Sequence, residues 1–204
     1  MENIVAKSAV MLYTEQTPNP ESLKFVTNRM LYRGTADFKE AGLAAEWSPI
    51  AAALFELPYV KGVYISSNFV TVTKEFNYEW PDIMLKLKDF IKNFIEEGGE
   101  ILKDGFAEEM AKLEAARDSD ITYSEDDAVL VHKIKDLIDT YVKPAVEMDG
   151  GNIEFKSFDK GIVTVTLQGS CSGCPSSTVT LKAGIEGMLK RMVPEVQEVV
   201  SEMG

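Results

Sequence analysis

The two cysteines of this 204-residue chain, Cys171 and Cys174, are the residues whose type and spacing best suit metal or redox chemistry. They lie three positions apart in the sequence G-S-C-S-G-C-P, which runs from position 169 to 175. A disulfide between residues this close would close almost no loop, so it would stabilise the fold very little. The pair therefore indicates chemistry at the thiols instead of a structural cross-link.

The elements predicted on either side of the pair favour its thiolate form. A strand is predicted before Gly169 and a helix after Pro175, so the thiols lie where a strand passes into a helix. Unpaired backbone N–H groups and the positive end of the helix dipole stabilise a thiolate over a thiol there. Gly169 and Gly173 allow the backbone to approach a bulky anionic ligand. Pro175 suits the first helical position, where an N–H would have no partner anyway.

Three chemistries fit such a pair: thiol–disulfide exchange, tetrahedral zinc and an iron–sulfur cluster. Zinc and cubane clusters usually take four protein ligands, whereas this chain has two thiols and one histidine. That histidine, His132, lies on a predicted amphipathic helix and is interpreted as a surface residue. Two copies around a twofold axis would supply four thiolates. Spacing alone favours redox exchange and metal binding equally, and a turn that binds nothing is the remaining interpretation.

The first part of the chain predicts a small sheet packed with helices. Two prolines in T-P-N-P, at 17–20, prevent ladder pairing and force a turn between two strands. Ser48 and Pro49 are typical of a helix start, with serine at the N-cap. The predicted elements are strands at 10–14 and 23–27, a helix from 49 to 57, a hairpin at 60–66 and 69–73, and a helix from 81 that ends at the glycines 98–99.

The second part predicts another small sheet with about two helices. Its elements are a helix that begins after the N-cap Ser124 and ends at Asp149-Gly150-Gly151, a hairpin at 153–158 and 162–167, a helix after the cysteines that runs to Pro194, and a strand at 196–201. The fold class predicted is thus mixed α+β in two small domains. We place the first at 1–99, an acidic linker at 100–123 and the second at 124–204.

The charge of the chain argues against nucleic acid as the main partner. The net charge is −12, whereas phosphate binding needs a basic surface. Residues 96–127 alone hold 12 acidic and 3 basic side chains, which is typical of a solvated segment. No run approaches the roughly 18 apolar residues of a membrane helix. The N-terminus resembles neither a signal nor a transit peptide, so a cytoplasmic location is expected, although a processed organellar form would look the same.

The residues around the cysteines resemble a known family. G-S-C-S-G-C-P-S-S at 169–177, together with Asp149-Gly150-Gly151, closely resembles the C-terminal domain of NifU. The T-P-N-P motif, Ser48-Pro49 and F-V-T-V-T at 69–73 resemble the N-terminal domain of Nfu proteins. Lys143 and Ser170 depart from residues common in relatives, Arg and Ala, but neither is a ligand. The resemblance covers nearly the whole chain outside the acidic segment.

The resemblance implies an iron–sulfur cluster scaffold and carrier, a binding protein without enzymatic turnover. Cys171 and Cys174 from two protomers would hold a cluster, usually 4Fe–4S with 2Fe–2S as the alternative. The partners would be a second copy, apo iron–sulfur clients and upstream cluster assembly proteins. Such a site should be exposed and only moderately stable, so that a client thiolate can replace ligands stepwise.

Two alternative functions of the cysteine pair and the role of the T-P-N-P motif stay open. A thioredoxin-like oxidoreductase would normally carry an aromatic residue where Ser170 stands. A zinc-bridged structural dimer would use the same four thiolates. The role of the T-P-N-P motif is open: it could position clients, stabilise the dimer or form only a turn.

Overall fold

The structure, a computed structural model, describes residues 9–119, 123–172 and 175–203. It contains two sheets with helices, so the predicted mixed α+β fold in two small domains is confirmed. The elements of the first domain are β1 (Leu12–Gln16), β2 (Ser22–Thr27), β3 (Tyr32–Phe38), α1 (Ala41–Trp47), α2 (Pro49–Phe55), β4 (Val60–Ser67), β5 (Phe69–Lys74) and α3 (Trp80–Glu96), followed by α4 (Phe106–Ser119). None of the helices in the described ranges is both long and apolar enough to cross a membrane.

The first sheet is antiparallel throughout, with strand order β1-β2-β5-β4-β3. One face carries the apolar core, in which Phe25, Val70 and Ile65 are fully buried. Side chains alternate along a strand, so the neighbours of these residues point to the opposite face. Lys24 on β2 and Tyr64 on β4 lie on that outer face.

Two elements of the first domain were missed by the sequence prediction, β3 and α1. The strand β3 lies at the edge of the sheet and carries Gly34 and charged residues, which disfavour strand structure by propensity. A register shift between Tyr32 and Thr35 also breaks its alternation. Tertiary packing stabilises the strand nonetheless, because Ala36 and Phe38 are buried in the core.

The first residues of the acidic segment 100–123 pack against the first domain. Phe106 at the start of α4 is buried, with its ring centroid 6.0 Å from those of Phe38 and Trp47. From Phe106 onward, α4 forms a helix of 14 residues within this segment. The division into 1–99, 100–123 and 124–204 stays a prediction.

The second domain follows the predicted order of elements. It consists of α5 (Glu125–Leu137), a π-helical turn (Ile138–Val142), α6 (Lys143–Met148), β6 (Gly151–Asp159), β7 (Ile162–Gly169), α7 (Pro175–Met192) and β8 (Glu198–Met203). The π-helical turn directly precedes α6, whose second residue is Pro144, a residue without a backbone N–H. The sheet order is β6-β7-β8, and α7 crosses over to bring β8 parallel to β7.

Candidate cysteine site

Cys171 lies at the junction of a strand and a helix, as predicted. β7 ends at Gly169, whose φ is +63°, and α7 begins at Pro175. The Cys171 side chain is packed into the second domain's core and the residue is only 7% exposed. Cys174 lies outside the described residues, so the arrangement of the two thiols stays a prediction.

The residues before Cys171 are bonded to the turn between α6 and β6. The Ser170 hydroxyl donates to the backbone oxygen of Asp149 at 2.6 Å. The Ser170 N–H donates to the Gly150 oxygen at 3.2 Å, and Gly151 pairs with Gly169 where β6 meets β7. These bonds hold the main chain that presents Cys171, which we call the cysteine loop (residues 169–172).

The glycines of this region allow the two chain segments to pack closely. A Cβ on Gly151 would lie 2.5 Å from the Gln168 oxygen and 3.0 Å from the Cys171 Sγ. A Cβ on Gly169 would lie 2.7 Å from the Gly150 oxygen. The sequence predicted that glycines allow a turn and backbone approach here. It did not indicate that Gly151 packs directly on the thiol.

The first domain contacts the second beside the cysteine loop. The bonds run from Asn19 Nδ2 to the Ser170 oxygen (3.1 Å), from Tyr64 OH to the Gly151 oxygen (3.4 Å), from Thr71 Oγ1 to the Gly150 oxygen (2.9 Å), and from Lys24 Nζ to the Met148 oxygen (3.0 Å). In these four bonds the acceptor is a backbone carbonyl. Asn19 belongs to the T-P-N-P motif and Thr71 to the F-V-T-V-T motif, but the sequence did not indicate that any of the four donors contacts the second domain.

A cleft of about 360 Å³ lies between the two domains beside this contact. Its lining includes Asp37, Lys61 and Tyr64 of the first domain and Gly169 and Ser172 of the cysteine loop. Burial raises the pKa of Asp37 to about 6, although the charge of Lys39 and a hydrogen bond from the Gly169 N–H both lower that pKa. Burial also raises the pKa of Tyr64 far above its ordinary value.

His132 lies on α5 as a surface residue, as the sequence indicated. Its Nδ1 is 3.0 Å from Asp136 Oδ2, and both side chains are mostly exposed. Within the described ranges, no group of three or more His, Cys, Asp or Glu side chains is arranged to hold a metal ion. The expected exposure of the site does not hold for Cys171, which is buried in this conformation.

Both halves of the chain match known family models. Residues 12–98 match the model described as "Scaffold protein Nfu/NifU N terminal", and residues 134–200 match the model described as "NifU-like domain". A relative from Drosophila persimilis is 40% identical over 201 residues, which is 98% of this chain and 67% of the relative. This chain belongs to the Nfu family. Its family membership rests on both domains and not on the cysteine pair alone.

The relatives of this Nfu-family chain carry a common name. The proteins from Drosophila persimilis and Drosophila willistoni are both named "NFU1 iron-sulfur cluster scaffold homolog, mitochondrial". The second is 41% identical over 198 residues, and the chain spans 65% of that relative's length. A solution NMR structure of a NifU-like protein from Saccharomyces cerevisiae is also similar, with 21% identity and a TM-score of 0.44. That similarity covers 51% of this chain and 93% of the yeast chain.

Proposed function

We propose that this chain is an iron–sulfur cluster scaffold and carrier. Its cargo is a 4Fe–4S cluster held between two protomers by Cys171 and Cys174 of each. Three findings support the proposal: membership of the Nfu family, the names of its relatives, and the position of Cys171. Family membership carries it, because the position of Cys171 between β7 and α7 suits thiol–disulfide exchange and zinc binding equally well.

The donor set of the chain fits such a cargo. Iron–sulfur clusters are held mainly by cysteine thiolates, commonly four. One chain offers two, so two protomers supply a complete set. Gly151, Gly169 and Ser170 place only small side chains around Cys171, but backbone fills the space beside them, so the loop must move to bind a bulky inorganic ligand.

Delivery then proceeds by ligand exchange and without net oxidation or reduction. An iron–sulfur bond to Cys171 or Cys174 breaks as a client thiolate forms a bond to the same iron. The proton that the client thiol loses is taken up by the released cysteine thiolate or by solvent. The partners are therefore apo-proteins with accessible thiols and the proteins that build the cluster. A cytoplasmic location stays a prediction.

Anaerobic incubation with equal amounts of ferrous and ferric iron and with sulfide, which needs no added oxidant, tests the proposal. We expect a brown chromophore in the parent chain and its loss in the Cys171→Ala variant. The matched control is Ser172→Ala in the same loop, which removes a hydroxyl that donates to the Gly169 oxygen and no thiol. That control should keep most of the colour.

Two outcomes of the same experiment would overturn the proposal. A colourless protein that reduces insulin disulfides would be a thiol–disulfide oxidoreductase. A colourless protein that holds one zinc ion per two chains after anaerobic purification, and still takes up no iron when the zinc is chelated, would be a zinc-bridged dimer.

A further inference from the structure

One row of polar side chains crosses all five strands of the first sheet on its outer face. Strand pairing places Glu15 beside Lys24, Lys24 beside Thr71, Thr71 beside Tyr64, and Tyr64 beside Asp37. We call these five residues the polar row. Directly opposed cross-strand residues share a face, so the row is continuous from β1 to β3.

The three central residues of the polar row are buried although the row faces away from the core of its own domain. Lys24 is 8% exposed, and Thr71 and Tyr64 are each 1% exposed. A buried lysine is tolerated only when its charge is paired. Lys24 Nζ is 3.2 Å from Glu15 Oε2 and 4.4 Å from the ring centroid of Phe69, and its remaining bonds go to the second domain.

In the hydrogen bonds between the described parts of the two domains, side chains of the first domain bind the main chain of the second. Lys24, Thr71 and Tyr64 donate to backbone oxygens between Glu147 and Gly151, in the turn that packs on Cys171. Asn19 donates to the Ser170 oxygen in the cysteine loop itself. Because the acceptors are carbonyls, the outer face recognises the conformation of these two segments, whatever their side chains.

This contact has a direct consequence for Cys171. Its thiol points into the second domain's core, with Gly151 against it. Ligating a cluster shared with another chain requires the cysteine loop to turn outward. That movement must displace Ser170 and Gly150, whose carbonyls are held by Asn19 and Thr71.

We propose that the first domain is a clamp on the cysteine loop. The clamp residues are Asn19, Lys24, Tyr64 and Thr71. They hold the loop with Cys171 buried, and they release it when two chains share a cluster. The release step rests on the proposed function, whereas the holding step is a property of the metal-free chain alone. The clamp also gives the T-P-N-P motif a role beyond that of a turn.

Thiol reactivity of the metal-free full-length chain tests the holding step. A Cys174→Ser background leaves Cys171 as the single cysteine, and its rate of reaction with N-ethylmaleimide is followed by mass spectrometry. The clamp variant is Asn19→Asp with Thr71→Val, two nearly isosteric changes that each remove a donor. The matched control is Asn93→Asp with Thr73→Val. Asn93 is exposed on α3, and the Thr73 hydroxyl bonds Ser22 of its own domain.

We expect the clamp variant to react about tenfold faster than the parent, and the control to react at the parent rate. Equal rates in the parent and the clamp variant would overturn the proposal. If the clamp variant fails to fold, the parent is compared with its guanidinium-unfolded form. A parent rate that equals the unfolded rate would overturn the holding step by itself.

Amine labelling of the unmodified chain tests the release step. Lys24 should resist acetylation by a succinimidyl ester in the metal-free protein and approach the reactivity of the exposed Lys86 after cluster loading. If the chain takes up a cluster and Lys24 stays protected, the clamp is wrong and the proposed function stands. If the chain takes up no cluster, the proposed function and the release step both fail. The Cys171 rate then separately supports or overturns the holding step.

Discussion

At the scale of residues, the chemistry of the site depends on how closely two glycine-containing segments approach. The sequence correctly predicted that Cys171 lies between a strand and a helix, because both elements have clear periodicity. It could not predict that the thiol packs on Gly151, since 20 positions separate these residues and only tertiary structure joins them. For the same reason, the expectation of an exposed Cys171 was wrong for this conformation.

Gly151→Ala tests this close packing. The new Cβ would lie 2.5 Å from a backbone oxygen and 3.0 Å from the Cys171 Sγ. We expect the free energy of unfolding in urea to fall by about 1–3 kcal/mol, because overpacking forces the backbone to move. Gly184→Ala on α7 is the control, since a Cβ there meets nothing within 4 Å. The control should gain about 0.5–1 kcal/mol, and equal effects at both sites would contradict the packing argument.

Asp37 should make the stability of the chain depend on pH. Its pKa is raised from 3.8 to about 6, mainly by burial; Lys39 opposes the rise, whereas nearby Glu154 adds to it. The folded chain then keeps a proton that the unfolded chain loses between these values. This group's contribution is therefore fully present below about pH 4 and falls by roughly 3 kcal/mol as the pH rises through 6.

Asp37→Asn should remove this part of the pH dependence. Urea unfolding of the parent and the variant at pH 4 and pH 7 measures it. The free energy of unfolding of the variant minus that of the parent should rise from pH 4 to pH 7, by up to the same roughly 3 kcal/mol. Parallel profiles for the two chains would show that folding does not raise the pKa of Asp37.

At the scale of elements, local sequence signals predicted most strands and helices but not what each of their faces packs against. The hairpin of β4 and β5 and the helix α2 have strong turn and capping signals, so they were predicted correctly. Both faces of β2 and β5 mix apolar and polar residues, because one face packs on helices and the other on the second domain. The polar row was not predictable for that reason, since it depends on register across five strands.

The two serine N-caps should differ in their contribution to stability. Ser48 is fully buried; its hydroxyl accepts from the Ala51 N–H at 3.2 Å and donates to the Ile101 oxygen at 2.7 Å. Ser124 caps α5 at an exposed position. We expect Ser48→Ala to cost about 2 kcal/mol in urea unfolding, because it also removes the bond to the part-buried Ile101 carbonyl. Ser124→Ala should cost about 0.5–1 kcal/mol, and equal costs would contradict a role for the Ile101 bond.

At the scale of the whole molecule, the two domains form one unit around the cysteine loop. The resemblance seen in the sequence correctly indicated the Nfu family because motifs of both domains are present. It did not predict the arrangement of the domains, since side chains of the first domain donate mainly to backbone carbonyls of the second, and every residue has such a carbonyl. The clamp and the shared cluster are linked, because a loop held by the first domain cannot also ligate a cluster between two chains.

The stoichiometry of the reconstituted protein tests the central proposal most directly. Iron, sulfide and protein are quantified on the anaerobically loaded chain, with Mössbauer spectra and native mass on the same sample. A 4Fe–4S cluster shared by two chains predicts about two irons and two sulfides per chain, 4Fe–4S Mössbauer parameters and a dimeric mass. A monomer that holds a complete cluster with full cysteine ligation would contradict the account, and so would a protein that takes up no iron.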